Sequence, residues 1–293
     1  MRYKVFYFLL LLGISGNLPA QDLLSGMEDS TPIKEVVTAA FKSTRVIMTH
    51  SMEMLKPGVL DFRILHRFGN INQGIKEFFG MDDATIRLGL DYGLSNNLTI
   101  GLGRGSYRKE VDGFLKFRAV PQATGPGGSP VSVLLVGGAM VQTAPWSGHK
   151  DDESVTNRMA YYTQLILGRK FSDAFTLQLT PTWVHRNLVA AVDNNNTLAL
   201  GTGARFRLSR RVSLNIDHYV VFNTEKSFDT YFPLSVGFDI ETGGHVFQLH
   251  FTNAIGMNER AFLTETTNRW GNGDIQFGFN ISRTFQLKKK RFE

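Results

Sequence analysis

Apolar and polar residues alternate along most of this chain. In the last such run, 274–285, large apolar residues stand at Ile275, Phe277, Phe279, Ile281 and Phe285. Small or polar ones stand between them, at Gln276, Gly278, Asn280, Ser282 and Thr284, and Arg283 is the one exception on the apolar face. A period of two gives a strand with one greasy face and one wet face. The same pattern predicts strands over 59–68, 84–94, 98–107, 111–121, 159–171, 175–186, 197–208, 212–222, 232–241 and 245–255. A further run, 131–141, is apolar on both faces, so its facing stays open.

The connections alternate in length. Short ones follow Leu94, Phe171, Leu208 and Glu241, and carry turn residues such as Ser95-Asn96-Asn97 and Gly243-Gly244. Longer ones cover 69–83, 143–158, 187–196, 223–231 and 256–273. Short turns on one side and long loops on the other are the habit of outer-membrane β-barrels. Two connections depart from it: 108–110 is short for an outer loop, and 122–130 is long for an inner one. The expected fold is all-β: a closed antiparallel transmembrane β-barrel of about twelve strands, each near ten residues. If 33–42 and 44–55 also join the sheet, the count becomes about fourteen.

The N-terminus changes the picture of location. Arg2 and Lys4 precede an apolar stretch from Val5 to Ile14, too short for a membrane helix, and Leu18-Pro19-Ala20 offers a cleavage site. Residues 1–20 therefore read as an export signal, 21–57 as a lead-in, 58–287 as the barrel and 288–293 as a basic tail. The chain has no Cys, which excludes a lipoprotein anchor, a disulfide framework and any thiolate metal site. The formal charge of +6 falls to +4 without the signal, with acids and bases interspersed, which does not describe a nucleic-acid binder. The 29 Gly and 23 Phe suit a curved sheet with aromatic membrane borders.

Several long motifs carry a family resemblance: Val59-Leu60-Asp61-Phe62-Arg63-Ile64-Leu65-His66-Arg67-Phe68-Gly69, Ala84 to Leu94, Asp112-Gly113-Phe114-Leu115-Lys116-Phe117-Arg118, Glu241 to Asn253, and Gly278-Phe279-Asn280-Ile281-Ser282-Arg283. With these the chain resembles DUF5777, a membrane-bound β-barrel family of Bacteroidetes-type bacteria, over nearly all of its mature length. The resemblance implies an outer-membrane barrel and brings no catalytic or binding residue with it.

With the apolar face outward, the lumen receives Asp61, Arg63, Arg67, Arg87, Asp91, Lys116, Arg118, Arg186, Arg205, Arg207, Asp217, Asp239, Glu241 and His250. Setting His250 aside, eight bases face five acids. One reading is a water-filled pore that favours small polar or anionic solutes. The other is a barrel closed by salt-bridged side chains, a structural or docking body whose loops 143–158 and 256–273 meet a partner. An integral lipid hydrolase is a third. Tyr162-Thr163-Gln164 faintly echoes one motif of such enzymes, but the His-x-Ser-Asn-Gly stretch is missing, and the tripeptide reads as chance.

No enzymatic activity, cofactor or metal is expected: among the seven His, no pair has helical ligand spacing. Tyr161, Tyr162, Trp183, Tyr219, Tyr231, Phe232 and Trp270 fall near strand ends and read as an interfacial girdle rather than a sugar slide. Gly101-x-Gly103-x-Gly105 has no helix after it and reads as a smooth inward surface, not a phosphate loop. Expected partners are outer-membrane lipid, the barrel-assembly machinery through the closing strand 274–285, and a small polar solute.

Overall fold

The computed structural model describes residues 33–145 and 154–288. The export signal 1–20, most of the lead-in's first half, the middle of the 143–158 loop and the tail beyond Lys288 lie outside the described residues. Twelve antiparallel strands form one closed barrel. They are β1 Val59–Asn70, β2 Ala84–Gly93, β3 Leu98–Gly105, β4 Glu110–Val120, β5 Ser132–Gln142, β6 Met159–Lys170, β7 Phe175–Arg186, β8 Asn196–Arg207, β9 Val212–Val221, β10 Leu234–Thr242, β11 His245–Thr252 and β12 Gln276–Gln286. Each strand pairs with its sequence neighbour, and β12 closes on β1, with Ile281 opposite Ile64 and Phe285 opposite Leu60. Closure leaves no strand edge with unpaired amides.

The alternation read from the sequence fixes the two faces. Along β2, Ile86, Leu88 and Leu90 are exposed on the outside, while Arg87, Gly89 and Asp91 are buried inside. The ambiguous fifth strand resolves with Ser132, Leu134, Val136 and Met140 buried inward. The lumen thus has a charged side and an apolar side. The inward glycines of β3 make room rather than a smooth wall. A Cβ at Gly101 would lie 2.2 Å from the Phe114 ring, and one at Gly103 2.1 Å from the Arg87 guanidinium.

Residues 33–57 do not join the sheet as thirteenth and fourteenth strands. They enter the barrel from the short-turn end, turn back at 46–49, and leave by the same end into β1. The turn is a small hairpin: the Val46 amide donates to the Thr49 carbonyl at 2.9 Å, and Ser51 to Thr44 at 3.0 Å. Every residue from 43 to 52 is buried. The long inner connection 121–131 now has a purpose. Glu35–Val36 pair with Ala123–Thr124, and the Val37 amide donates to Gln122, so this loop guides the segment inward. The short outer connection is a tight turn with Arg108 and Lys109 at positive φ.

The first half of the loop 253–275 turns inward, while Thr267, Arg269, Gly271 and Asn272 of its second half are exposed. It carries a one-and-a-half-turn helix, α1 Glu259–Thr264, all of whose residues are buried. Asn258 caps it, accepting from the Ala261 amide at 2.9 Å.

Candidate functional site: the closed lumen

The N-terminal hairpin acts as a plug, fastened to the wall by side chains of most of the strands. Its tip sits on Asp217, whose carboxylate accepts the amides of Ile47, Met48 and Thr49 at 3.3, 2.8 and 2.9 Å. Three convergent N–H groups make a nest for an anion, here supplied by the wall. Gln248 donates to the Val46 carbonyl at 2.8 Å and Asn280 to that of Ile47 at 3.0 Å. Gln178 accepts from the Met52 amide at 3.0 Å and donates to the His50 carbonyl at 2.8 Å.

Lower down, Arg63 reaches Ser43 and Thr44, Lys116 reaches the carbonyls of Thr44 and Glu53, and Arg205 reaches those of Ala39 and Ala40. The apolar side of the lumen receives the apolar plug residues. Phe41, Val46, Ile47, Met48 and Met52 share one core with Leu134, Val136, Met140, Ile166 and Val184.

Charges inside the wall are largely paired. Arg63 lies 2.5 Å from Asp61 and 3.5 Å from Asp91, and Arg87 forks onto Asp112, with its Nε at 2.8 Å. Arg67 differs: its guanidinium donates to the His66 carbonyl at 2.9 Å and to Asn280 at 3.1 Å, and among the described residues it forms no ion pair with a carboxylate. Asp239 accepts from Gln248 at 2.9 Å. His250 is buried, and neither ring nitrogen has a hydrogen-bond partner among the described residues.

Not every predicted lumen residue lies there. Arg118 is at the short-turn rim, bonded to Asn96 and Asn97. Arg207 is there too, 3.7 Å from Asp173 in the adjoining turn, and Glu241 meets Lys42 at 2.5 Å. Arg186 is at the opposite rim, 2.5 Å from Glu225. These four have the inward parity but lie past the end of the filled region.

Two aromatics also move from expected girdle to lumen. Tyr162 and Tyr219 are fully buried, with Tyr219 2.5 Å from the Thr49 hydroxyl and stacked obliquely on Phe262 at 5.4 Å. Tyr162 and Gln164 of the faint enzyme-like tripeptide therefore point at the plug, Tyr162 to His50 and Gln164 to Tyr219.

The plug and the inward loop meet in the middle of the barrel. Arg45 of the plug lies 3.3 Å from Glu259 of α1, and donates to the Met48 carbonyl at 2.7 Å. His50 lies 3.5 Å from the same carboxylate.

Arg260 anchors the loop to the wall, 2.5 Å from Glu110 and 2.6 Å from Glu265, while Asn258 bonds the other Glu110 oxygen. The sequence reading missed Arg45, Glu110, Asp112, Glu259 and Arg260. Glu110 and Asp112 share inward parity with Lys116 and could have been found. The other three sit in segments with no strand periodicity.

Space remains at the two ends. A cavity of about 700 Å³ opens among the long loops, bordered by Asn70, Gln73, Tyr107, Arg108, Glu265 and Asn268. A smaller one of about 230 Å³ lies at the short-turn end beside Lys42, Glu53 and Glu241. Between them stand the buried residues 43–52 and 256–264. Among the described residues no three His, Asp or Glu groups cluster as metal ligands.

The profile of the family described as "Membrane bound beta barrel domain (DUF5777)" matches residues 41–285. Its start at residue 41 takes in the plug as well as the strands. No curated protein matches the chain. Among solved structures, the NanC porin is 9% identical with a TM-score of 0.49, covering 78% of this chain and 100% of its own. The COG4313 outer membrane channel from Pseudomonas putida F1 is 12% identical with a TM-score of 0.45, over 80% and 98%. The KdgM porin is 8% identical with a TM-score of 0.44, over 78% and 99%. At this degree of likeness nothing about their solutes carries over.

Proposed function

Because the chain belongs to the DUF5777 family of membrane-bound β-barrels, we propose that it is an outer-membrane channel held shut by its own N-terminal hairpin. When the hairpin withdraws and α1, joined to it through Arg45 and Glu259, gives way, small polar or anionic solutes pass. The observation that carries this is the route of the plug. It enters and leaves by one end, so it can slide out without threading, and most of its anchors are hydrogen bonds that water can replace. The wall left behind is polar on one side and carries both signs, Arg63, Arg67, Arg87, Lys116 and Arg205 beside Asp61, Asp91, Asp112, Asp217 and Asp239, a lining suited to small polar solutes.

A second reading, a permanently closed structural barrel, is favoured by the apolar side of the lumen. Withdrawing the plug would wet Leu134, Val136, Met140, Ile166 and Val184, and apolar exposure costs about 25 cal/mol per Å².

Conductance in planar bilayers separates the two. A Cβ on Gly203 would stand 2.9 Å from a Val46 methyl, so the double variant Val46→Cys/Gly203→Cys can lock the plug in a chain without other Cys. For a gated channel, the Asp217→Ala/Arg205→Ala variant conducts. The locked variant is silent until reduced, and then opens at least as often as the unaltered chain. Silence of the loosened variant, of a 37–55 deletion and of that deletion combined with Arg260→Ala, which frees α1 from the wall, all shown by gel shift on boiling to be folded, establishes the closed barrel instead.

A further inference from the structure

The outer wall carries a glycine that the barrel itself does not require. Gly138 faces the lumen, where a Cβ would lie 2.2 Å from the Tyr162 ring, so packing accounts for it. Gly137 faces outward, and a Cβ there would meet nothing within 4 Å. Glycine weakens a strand interior and often marks a close approach by another group. Around Gly137 the outer faces of β3, β4 and β5 form an apolar groove of about 710 Å³. Gly113, Gly137 and Ala139 lie along it, and Leu102 and Leu115 border it, 67% and 58% exposed.

The groove runs toward the long-loop end, where Val111 pairs with Arg104. Arg104 is on the outward face of β3 and exposed; its hydrogen bond goes to the Gly105 carbonyl at 2.7 Å, and no carboxylate among the described residues pairs with it. Lys109, also exposed, follows in the adjoining tight turn. A cation on the membrane face is costly unless it reaches the headgroup level.

An apolar trough ending in an unpaired guanidinium is complementary to an acyl chain ending in a phosphate. We propose that this groove seats one acyl chain of a phosphorylated outer-leaflet glycolipid of the lipid A type, with Arg104 at its phosphate. Its place on the membrane face selects a lipid. Its position toward the long loops selects the outer leaflet, a step that rests on the outer-membrane reading above.

Native mass spectrometry of the detergent-purified full chain tests this, with bis-phosphorylated lipid A, dephosphorylated lipid A or phosphatidylglycerol added. The expected result is one retained lipid A per barrel. Retention should fall roughly tenfold for the dephosphorylated lipid, for Arg104→Gln and for Gly137→Phe. The space over Gly137 lets the latter fold, and gel shift on boiling confirms it for both variants. Equal retention of lipid A by both variants and the unaltered chain overturns the proposal, and so does equal retention of phosphatidylglycerol. Density fractionation of cell membranes addresses location separately: the chain in the inner membrane would overturn the outer-membrane reading, whatever the adducts show.

Discussion

The Asp217 carboxylate accepts three amides from one turn of the plug, so a single side chain fixes the depth of the whole segment. Replacing it by Ala leaves three buried donors without an acceptor, each costing about 1–3 kcal/mol where water cannot reach. With some water entry, Asp217→Ala is expected to loosen the plug by about 2–4 kcal/mol. Hydrogen exchange checks this: the amides of Ile47, Met48 and Thr49 lose protection while those of β6 to β8 keep theirs. Unchanged exchange at the tip would mean that apolar contacts alone hold it.

At the long-loop rim, Asp193 ties two loops through the Ser227 hydroxyl and the amides of Lys226 and Ser227. Desolvation pushes its carboxyl up, but these donors outweigh it and hold the pKa down at about 2. A depressed carboxyl stabilises above its unfolded value, near 4, and that contribution is lost as pH falls through the folded value. Protection of the Lys226 and Ser227 amides should therefore hold at neutral pH and fade between about pH 4 and 2. In Asp193→Ala it should be absent at pH 7. A flat profile through that window would remove Asp193 as the tie.

At the scale of elements, the inward helix α1 is tied to the wall through Arg260 and to the plug through Glu259. Arg260 joins Glu110 of β4 to Glu265 beyond the helix; Arg260 and Glu110 lie away from water, and Glu265 borders the cavity at the long-loop end. Removing one partner of a buried pair costs about 3–5 kcal/mol, because the other charge is left alone. Arg260→Ala is expected to release the loop 253–275 from the lumen, making it cleavable by protease added to intact barrels. Arg260→Met with Glu110→Leu removes both charges and should restore much of the resistance. If Arg260→Ala resists cleavage like the unaltered chain, the apolar contacts of Phe262 and Leu263 hold the helix unaided.

At the scale of the whole molecule, the wall and its filling are separable in principle. The strand ladder closes on itself without help from the plug, as a membrane-spanning sheet must. The plug completes the apolar core on one side of the lumen. Deleting 37–55 should thus leave a barrel that still shifts on boiling but melts lower. For a chain of this size about 1 kcal/mol corresponds to roughly 2–4 °C, and losing a segment of the core is expected to cost roughly 10 °C. A shift below about 2 °C would show that the wall carries its own stability.

The sequence by itself determined the twelve strands from 59 onward, the facing of all but one of them and the two kinds of connection, and left open whether 33–55 adds two more. A period of two is a local property, and one face must meet apolar surroundings whatever the rest of the chain does. It also placed Arg63, Arg87, Asp91, Lys116 and Asp217 inside. Position along the strand was harder: Arg118, Arg186, Arg207 and Glu241 have inward parity yet sit at the rims, because parity gives the face and not the depth. The facing of β5 needed its neighbours, since both its sides are apolar. Only the tertiary structure decided that the lumen is filled. Residues 44–55 read only as a possible extra strand and 256–264 as a loop, and their partners lie far along the chain, as with Met48 on Asp217 and Arg45 on Glu259. Such contacts exist only once the barrel has closed around them.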